Sequence, residues 1–547
     1  MSPRVDNAKH SAQKPKKETR GLDQILIVRL LVAAVLLIVS QIVKMPTAAR
    51  VALIILSIAA SAYDLALDAI DAVLDGDYFS DPLLILLIAI LSVPFGYGAE
   101  GAALALIYQI SRLLFDVIAK LTRNSGRQLL SRLDEETTQK VEETLKSRAA
   151  VTLPMEDEVR KSATLVLRVA MGAALVYAIV LPLISGFTYR VSIHRALMML
   201  AACIPGSVVA AMPLTALVGL CCAAGKGLIF NSAADMEKTA QVNVVVFDKA
   251  GVFSEGQPRI LQVQSAVEGL DEATFLNMAA HAAYYSEQPF AKAITAATDP
   301  EYHLDVISGF EDITGGLRLN IGDSPIVLAC AETFSHLGIV VPADPNDRGQ
   351  VYYMTLAGRY VGKIVFSDDI NANAAALVSE LKEEGVRRSM LLTEDSAGES
   401  QRVAETLGIA EVYGDCDTER KLKLIEDLSQ GPRNKILFVY ANGIERHSAA
   451  QVDMRLSRRA KYADVTVLPE DRENIAKAFS ISRRMKDVAT KNAIFVFAIK
   501  ALLIFLSMIG YSKIWFVLFV DVAAAMGTML NAIRVTQPSY LDKLLKR

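Results

Sequence analysis

Long apolar runs open and close this chain, and a mixed polar stretch fills its middle. Residues 25–43 are apolar except for Arg29, whose long stem can snorkel toward the basic side. At about 1.5 Å per residue, this run spans a bilayer. Residues 48–74 start apolar and then place Asp64, Asp68, Asp71 and Asp75 at helical spacing. That pattern predicts a half that bends out along the membrane surface. Residues 82–95 and 98–120 predict a helical hairpin, 163–187 and 192–223 a second, and 492–509 with 514–533 a third. The run 192–223 is interrupted at Cys203-Ile204-Pro205-Gly206-Ser207 and again at Pro213. Two readings of these prolines stand: a plain kink, or an opened helix whose freed carbonyls face a site. About eight spans put both ends of the chain on one side, and Lys/Arg clusters in 1–24, 120–132 and 534–547 make that side cytosolic.

Between the second and third hairpins lies a soluble pattern. Strand-like runs at 242–248, 361–367, 389–393, 435–440 and 465–468 alternate with helical stretches. Alternation of this kind predicts a parallel α/β sheet. Residues 257–362 interrupt it with a mixed pattern, which predicts an inserted domain. Residues 123–162 are charged and helical, a connector between the first two groups of spans. The expected organisation is therefore a basic tail at 1–24, spans in 25–122, the connector 123–162, spans in 163–230, a sheet domain from 231–256 and 363–488, the insertion 257–362, spans in 489–535 and a tail at 536–547.

The first strand-like run ends in Asp248 and continues Lys249-Ala250-Gly251-Val252. A polar residue at the carboxyl end of a parallel strand lies where open α/β sheets place their ligands. Asp248 there is a candidate nucleophile toward phosphate, with Lys249 offsetting charge; the other reading is a strand followed by a glycine turn. Composition removes some classes. A formal net charge of −3 argues against a nucleic-acid binder. Five cysteines without CxxC spacing suggest reduced thiols. No secretory signal pattern, internal repeat or low-complexity segment is visible.

The order of these pieces, with Glu237-Lys238 leading to Phe247-Asp248-Lys249, resembles the heavy-metal (class IB) P-type ATPases over nearly the whole chain. Ser286-Glu287-Gln288-Pro289 is similar to the family's Ser-Glu-His-Pro motif, Thr393-Glu394-Asp395 stands where the family has Thr-Gly-Asp, and Lys421 ends a Pro-Glu-Asp-Lys equivalent. The resemblance implies a polytopic α-helical membrane protein with a HAD-like Rossmann phosphorylation domain and an inserted nucleotide domain. It implies Asp248, Lys249 and Lys421 at the phosphorylation site, Glu287, Gly315 and Gly316 at the nucleotide, and ATP and Mg²⁺ as cofactors. Glu100, Lys500 and Asp521 match the zinc/cadmium/lead-exporting branch, with Lys500 as counter-ion on the ion path. Charges at membrane depth are expensive, so Lys500 and Asp521 are expected to pair. That pair reads either as a remnant ion path or as a helix–helix register lock. The implied setting is a lipid bilayer, a bacterial plasma membrane in particular.

Several positions depart from the family's pattern. Its two threonines after Asp-Lys are Ala250 and Val252, and its magnesium carboxylates are Asn442 and Arg446. Mg²⁺ prefers carboxylate and water oxygens. The Cys-Pro-Cys thiolates of the kinked helix are Ile204 and Gly206, which removes the soft-metal ligands. Residues 123–162 stand where the family has a much longer β-rich actuator with a Thr-Gly-Glu loop. The expectation is a non-pumping member with a structural or regulatory role, acting on another membrane protein or sensing a ligand. The alternative is a divergent but working zinc/cadmium-type exporter.

Overall fold

The computed structural model describes residues 20–536 apart from 130–137, 140, 143–150, 187, 205, 255–257, 299–300, 314, 343–348, 368–369, 396, 442–447 and 458–462. The chain divides into two compact units: Met1–Lys120, Asp157–Ala211 and Asn492–Leu530 form one, and Leu121–Glu156, Met212–Lys491 and Asn531–Arg547 form the other.

The first unit is helical. Among the described residues, six helices of the chain are long and apolar enough to cross a membrane: Gln24–Ile42, Thr47–Leu74, Gly98–Leu121, Pro154–Ile184, Pro469–Ile509 and Ile514–Thr536. Of the eight expected spans, six coincide with these helices, and the other two fall on shorter apolar helices. Residues 82–95 form the twelve-residue helix Asp81–Ser92, too short at 1.5 Å per residue for a ~30 Å hydrocarbon core. Residues 192–223 form three pieces, Tyr189–Ala202, Gly206–Val209 and Met212–Ala224, as Pro205 and Pro213 require. Inside this unit Ile54, Ile58 and Leu65 pack on Ile85, Ile88 and Leu104. Ile55, Leu56, Ile70 and Ile90, on the other faces of the same helices, are exposed. A surface this apolar on a helix bundle is a lipid-facing surface.

The acidic half of Thr47–Leu74 does not bend away as expected; it continues as one helix. Arg29 pairs with Asp64, and Arg112 meets Asp68 at 2.6 Å. Arginines on neighbouring helices neutralise two of the four carboxylates, while Asp71 and Asp75 are exposed.

The second unit carries two sheets. The strands are β1 (Leu228–Phe230), β2 (Val244–Asp248), β3 (Arg259–Ser265), β4 (Ile307–Ile313), β5 (Gly316–Ile321), β6 (Ser324–Cys330), β7 (Gln350–Leu356), β8 (Arg359–Ser367), β9 (Arg388–Leu392), β10 (Glu411–Tyr413), β11 (Ile436–Tyr440), β12 (Val452–Leu456) and β13 (Val465–Val467). One sheet runs β1-β13-β12-β11-β2-β9-β10, parallel except for the edge strand β1. Every residue of β2 and β11 is buried. Continuous apolar strands are what a covered parallel sheet demands. Helix Thr418–Ser429 packs Ile425 and Leu422 against Val244, Val246 and Phe438.

The other sheet runs β3-β8-β7-β6-β5-β4 and is antiparallel throughout. Phe275 and Phe290, from the helices Glu272–Ala283 and Pro289–Ala297, fill its core with Leu317, Leu328 and Ile364. Here the expected partition needs one correction. Residues 361–367 are not a strand of the parallel sheet: β8 pairs antiparallel with β3 and β7. The inserted sheet therefore extends to Ser367. An apolar run has the same composition in a parallel and in a well-covered antiparallel strand, so periodicity could not separate the two.

Candidate functional site

Asp248 is the last residue of β2, the strand between β11 and β9. The chain builds outward from β2 to β9 and β10, then returns to β11 on the other side. The order reverses at β2, and the crevice beyond the carboxyl ends at such a point is where open sheets hold ligands. Register fixes the neighbours, with Asp248 opposite Leu392 of β9 and Phe247 opposite Val439 of β11. A tight turn follows. The Lys249 carbonyl accepts from the N–H groups of Val252 (3.3 Å) and Phe253 (3.0 Å), and Gly251 supplies the φ of +74° that a side chain would disfavour. Phe253 folds back onto Phe247, with ring centroids 4.8 Å apart.

Five charges converge here. Lys421, projecting from Thr418–Ser429, places its Nζ 3.1 Å from Asp248 Oδ1 and 3.1 Å from Glu394 Oε1. Lys249 Nζ lies 2.5 Å from Asp395 Oδ2. Asp248, Lys249 and Lys421 are all buried. Burial pushes the Asp248 carboxyl up, while the Lys421 ammonium and the Ala250 N–H pull the other way without cancelling it. Burial also works against the Lys421 ammonium, and the Asp248 and Glu394 carboxylates more than offset it, so Lys421 stays a cation. The structure thus brings the three sequence-named residues together with Glu394 and Asp395, whose motif the sequence already set where a glycine was expected close to phosphate. The motif Thr393-Glu394-Asp395 was the available signal; what the sequence lacked was the reach of Glu394 toward Lys421.

Among the described residues, the side chains of this crevice offer Mg²⁺ few free oxygens. Asp248 Oδ1 already accepts from Lys421, and the side chains of Ala250 and Val252 carry no oxygen. Magnesium requires near-octahedral oxygens. Asn442 and Arg446 lie outside the described residues. Among the described residues, three carboxylates face two ammonium groups.

The residues expected at the nucleotide make contacts within the chain. Glu287 is exposed and pairs with Lys292. Gln288 Nε2 donates to Asp312 Oδ1 and to the Gly316 carbonyl, both at 3.0 Å, and Ser286 Oγ donates to Asp312 at 2.7 Å. A Cβ on Gly315, at φ +71°, would meet Cys330 Sγ and Thr333 Oγ1 at 2.7 Å. One on Gly316 would meet the Ala329 Cβ at 2.3 Å. These glycines admit the chain's own strand β6 and the helix Ala331–His336.

In the first unit, Lys500 and Asp521 meet at 2.8 Å, both buried. Lys500 Nζ also donates to the carbonyls of Ile204 (2.6 Å) and Ala202 (3.3 Å). Those carbonyls are the groups that the break at 203–205 frees from the helix ladder, and an ammonium fills the role of cation toward them. Ile204 is buried, and Gly206 opens the short helix Gly206–Val209. Cys203 packs on Leu84, Leu167 and Ala170. Glu100 is engaged elsewhere: it accepts from the Ile514 N–H at 2.8 Å, capping the last long helix, and lies 3.0 Å from His194 Nε2.

Residues 242–439 match the haloacid dehalogenase-like hydrolase family. The chain is 27% identical over 373 residues to the cadmium, zinc and cobalt-transporting ATPase of Bacillus subtilis, covering 66% of this chain and 53% of that protein. It is 27% identical over 354 residues to the zinc-transporting ATPase of a Synechocystis species, covering 63% and 49%. The chain spans about half the length of the curated relatives it matches. Its fold superposes on a crystal structure of a zinc-transporting PIB-type ATPase in the E2.Pi state with a TM-score of 0.59 at 18% identity, covering 95% of this chain and 100% of that one.

Proposed function

We propose that this chain, which belongs to the heavy-metal P-type ATPase family by sequence and by fold, is a non-pumping member of it. The observation that carries the reading is the position of Glu394. Phosphoryl transfer depends on positioned cations that neutralise the transferred group. Lys421, the buried cation beside Asp248, is already shared with the half-exposed Glu394 carboxylate. The unsuited Mg²⁺ donors, the filled glycine positions and the shortness of the 123–162 connector act in the same direction.

On this reading the protein sits in a bacterial plasma membrane with both ends in the cytosol, and serves as a structural or regulatory partner of another membrane protein. A second reading is a divergent zinc/cadmium-type exporter using ATP and Mg²⁺. The Asp248–Lys421 contact and the Lys500–Asp521 pair favour it, because both are retained. Equilibrium binding of ATP to the full-length protein, with and without Mg²⁺, separates the two. The non-pumping reading expects no Mg²⁺-dependent gain in affinity, and a gain of tenfold or more, about 1.4 kcal/mol, would overturn it.

A further inference from the structure

Away from the Asp248 crevice, one cluster of ligating side chains has no role in anything described above. Glu332 and His336 stand four residues apart on the short helix Ala331–His336, which follows β6 of the inserted sheet. Asp417 faces them from the N-cap of Thr418–Ser429, the helix that carries Lys421. One ligand atom from each of the three lies within 4.8 Å of the others. We propose that Glu332, His336 and Asp417 form a divalent-cation site of the zinc class, bridging the inserted sheet to the Lys421 helix.

Residues four apart on a helix share a face, so Glu332 and His336 present an imidazole and a carboxylate together. Imidazole with carboxylates suits Zn²⁺ or a neighbouring transition metal better than Ca²⁺ or Mg²⁺, which favour all-oxygen sets. Zinc bonds of about 2.0–2.2 Å draw such atoms closer than 4.8 Å, and the exposed His336 side chain is free to make that adjustment by rotation. Three protein ligands leave a fourth position for water.

The Arg420 guanidinium donates to the Asp415 carbonyl at 3.0 Å. Asp417 Oδ1 accepts from the Arg420 N–H at 2.8 Å, which fixes the carboxylate and leaves its second oxygen for the metal. The loop before Asp417 is tied to the Asp248 crevice, since Asp415 N–H donates to Asp395 (2.9 Å) and Cys416 N–H to Thr393 (3.0 Å). Metal at Asp417 therefore restrains both the Lys421 helix and the Glu394 loop, and this inference stands whether or not the chain pumps.

The test is Zn²⁺ titration of the metal-stripped, full-length protein in detergent, in competition with a chromogenic chelator. The variants are Glu332→Gln, Asp417→Asn and His336→Gln. Asparagine caps a helix as well as aspartate does, and His336 is exposed, so at least these two variants keep the fold. Each variant is expected to lose one zinc equivalent or weaken it at least about tenfold, while Asp521→Asn leaves that equivalent in place. Hydrogen exchange around Asp417 should slow on adding Zn²⁺ to the unaltered protein only. Zinc stoichiometry and affinity unchanged in all three variants overturn the proposal, as does loss of the equivalent in Asp521→Asn alone.

Discussion

The Glu394 carboxylate stands 3.1 Å from the Lys421 ammonium, the same distance at which Lys421 meets Asp248. Lysine offers three donors on one charge, and two of them are already directed at carboxylates. Glu394 is also 3.3 Å from Gln350 Nε2 at the start of β7, so one side chain touches the Asp248 crevice and the inserted sheet together.

Glu394→Gly should release the ammonium. Inorganic phosphate, followed by thermal shift of the full-length protein, is expected to bind the variant roughly tenfold more tightly, as removing a like charge from an anion site allows. Unchanged phosphate affinity would mean that Glu394 does not guard the crevice.

Lys421→Met leaves Asp248 buried without its cation. Breaking a buried pair in this way destabilises by about 3–5 kcal/mol. The pH dependence has a definite direction. Burial raises the folded carboxyl above its ordinary 3.8, so the folded state holds the proton more tightly than the unfolded chain. That contribution is complete below about pH 3.8 and fades as pH rises through the folded value. Without Lys421 the upward shift grows, so the melting temperature of the variant should lie closer to the unaltered protein at pH 5 than at pH 8. Equal gaps at both pH values would contradict the assignment.

In the membrane unit, Lys500→Met strands Asp521 and the carbonyls of Ala202 and Ile204. A loss of about 3–5 kcal/mol is expected, with Asp521→Asn milder because Lys500 keeps the carbonyls of Ala202 and Ile204. The double change to Met and Leu should recover part of the loss, since apolar replacements of buried pairs are often neutral. Thermal unfolding in detergent reads all three.

Much of the fold was legible because it is written in periodicity and motif order. The apolar runs marked the long helices, and β2, β9, β11 and β13 stood out as strand-like runs. What failed depended on partners distant in sequence. Asp64 and Asp68 looked solvated until Arg29 and Arg112 were placed beside them. Strand β8 looked parallel until its pairing with β3 and β7 was known, and β12, with Asp453 and Arg455 among its five residues, did not look like a buried strand at all. At the site, sequence named Asp248, Lys249 and Lys421 through their motifs. It could not foresee that Glu394 turns toward Lys421, that Lys249 takes Asp395, or that Glu100 caps the helix beginning at Ile514. Side-chain direction is a tertiary property that one-dimensional spacing does not carry.

The most direct measurement is labelling of the full-length protein, reconstituted in vesicles, with radiolabelled ATP in the presence of Mg²⁺ and of Zn²⁺ or Cd²⁺. If Lys421 is held by Glu394 and the crevice cannot seat Mg²⁺, acid-stable label stays at the level of the Asp248→Asn variant under every condition. Acid-stable label that appears on Asp248, turns over on addition of unlabelled ATP and vanishes in Asp248→Asn contradicts the account.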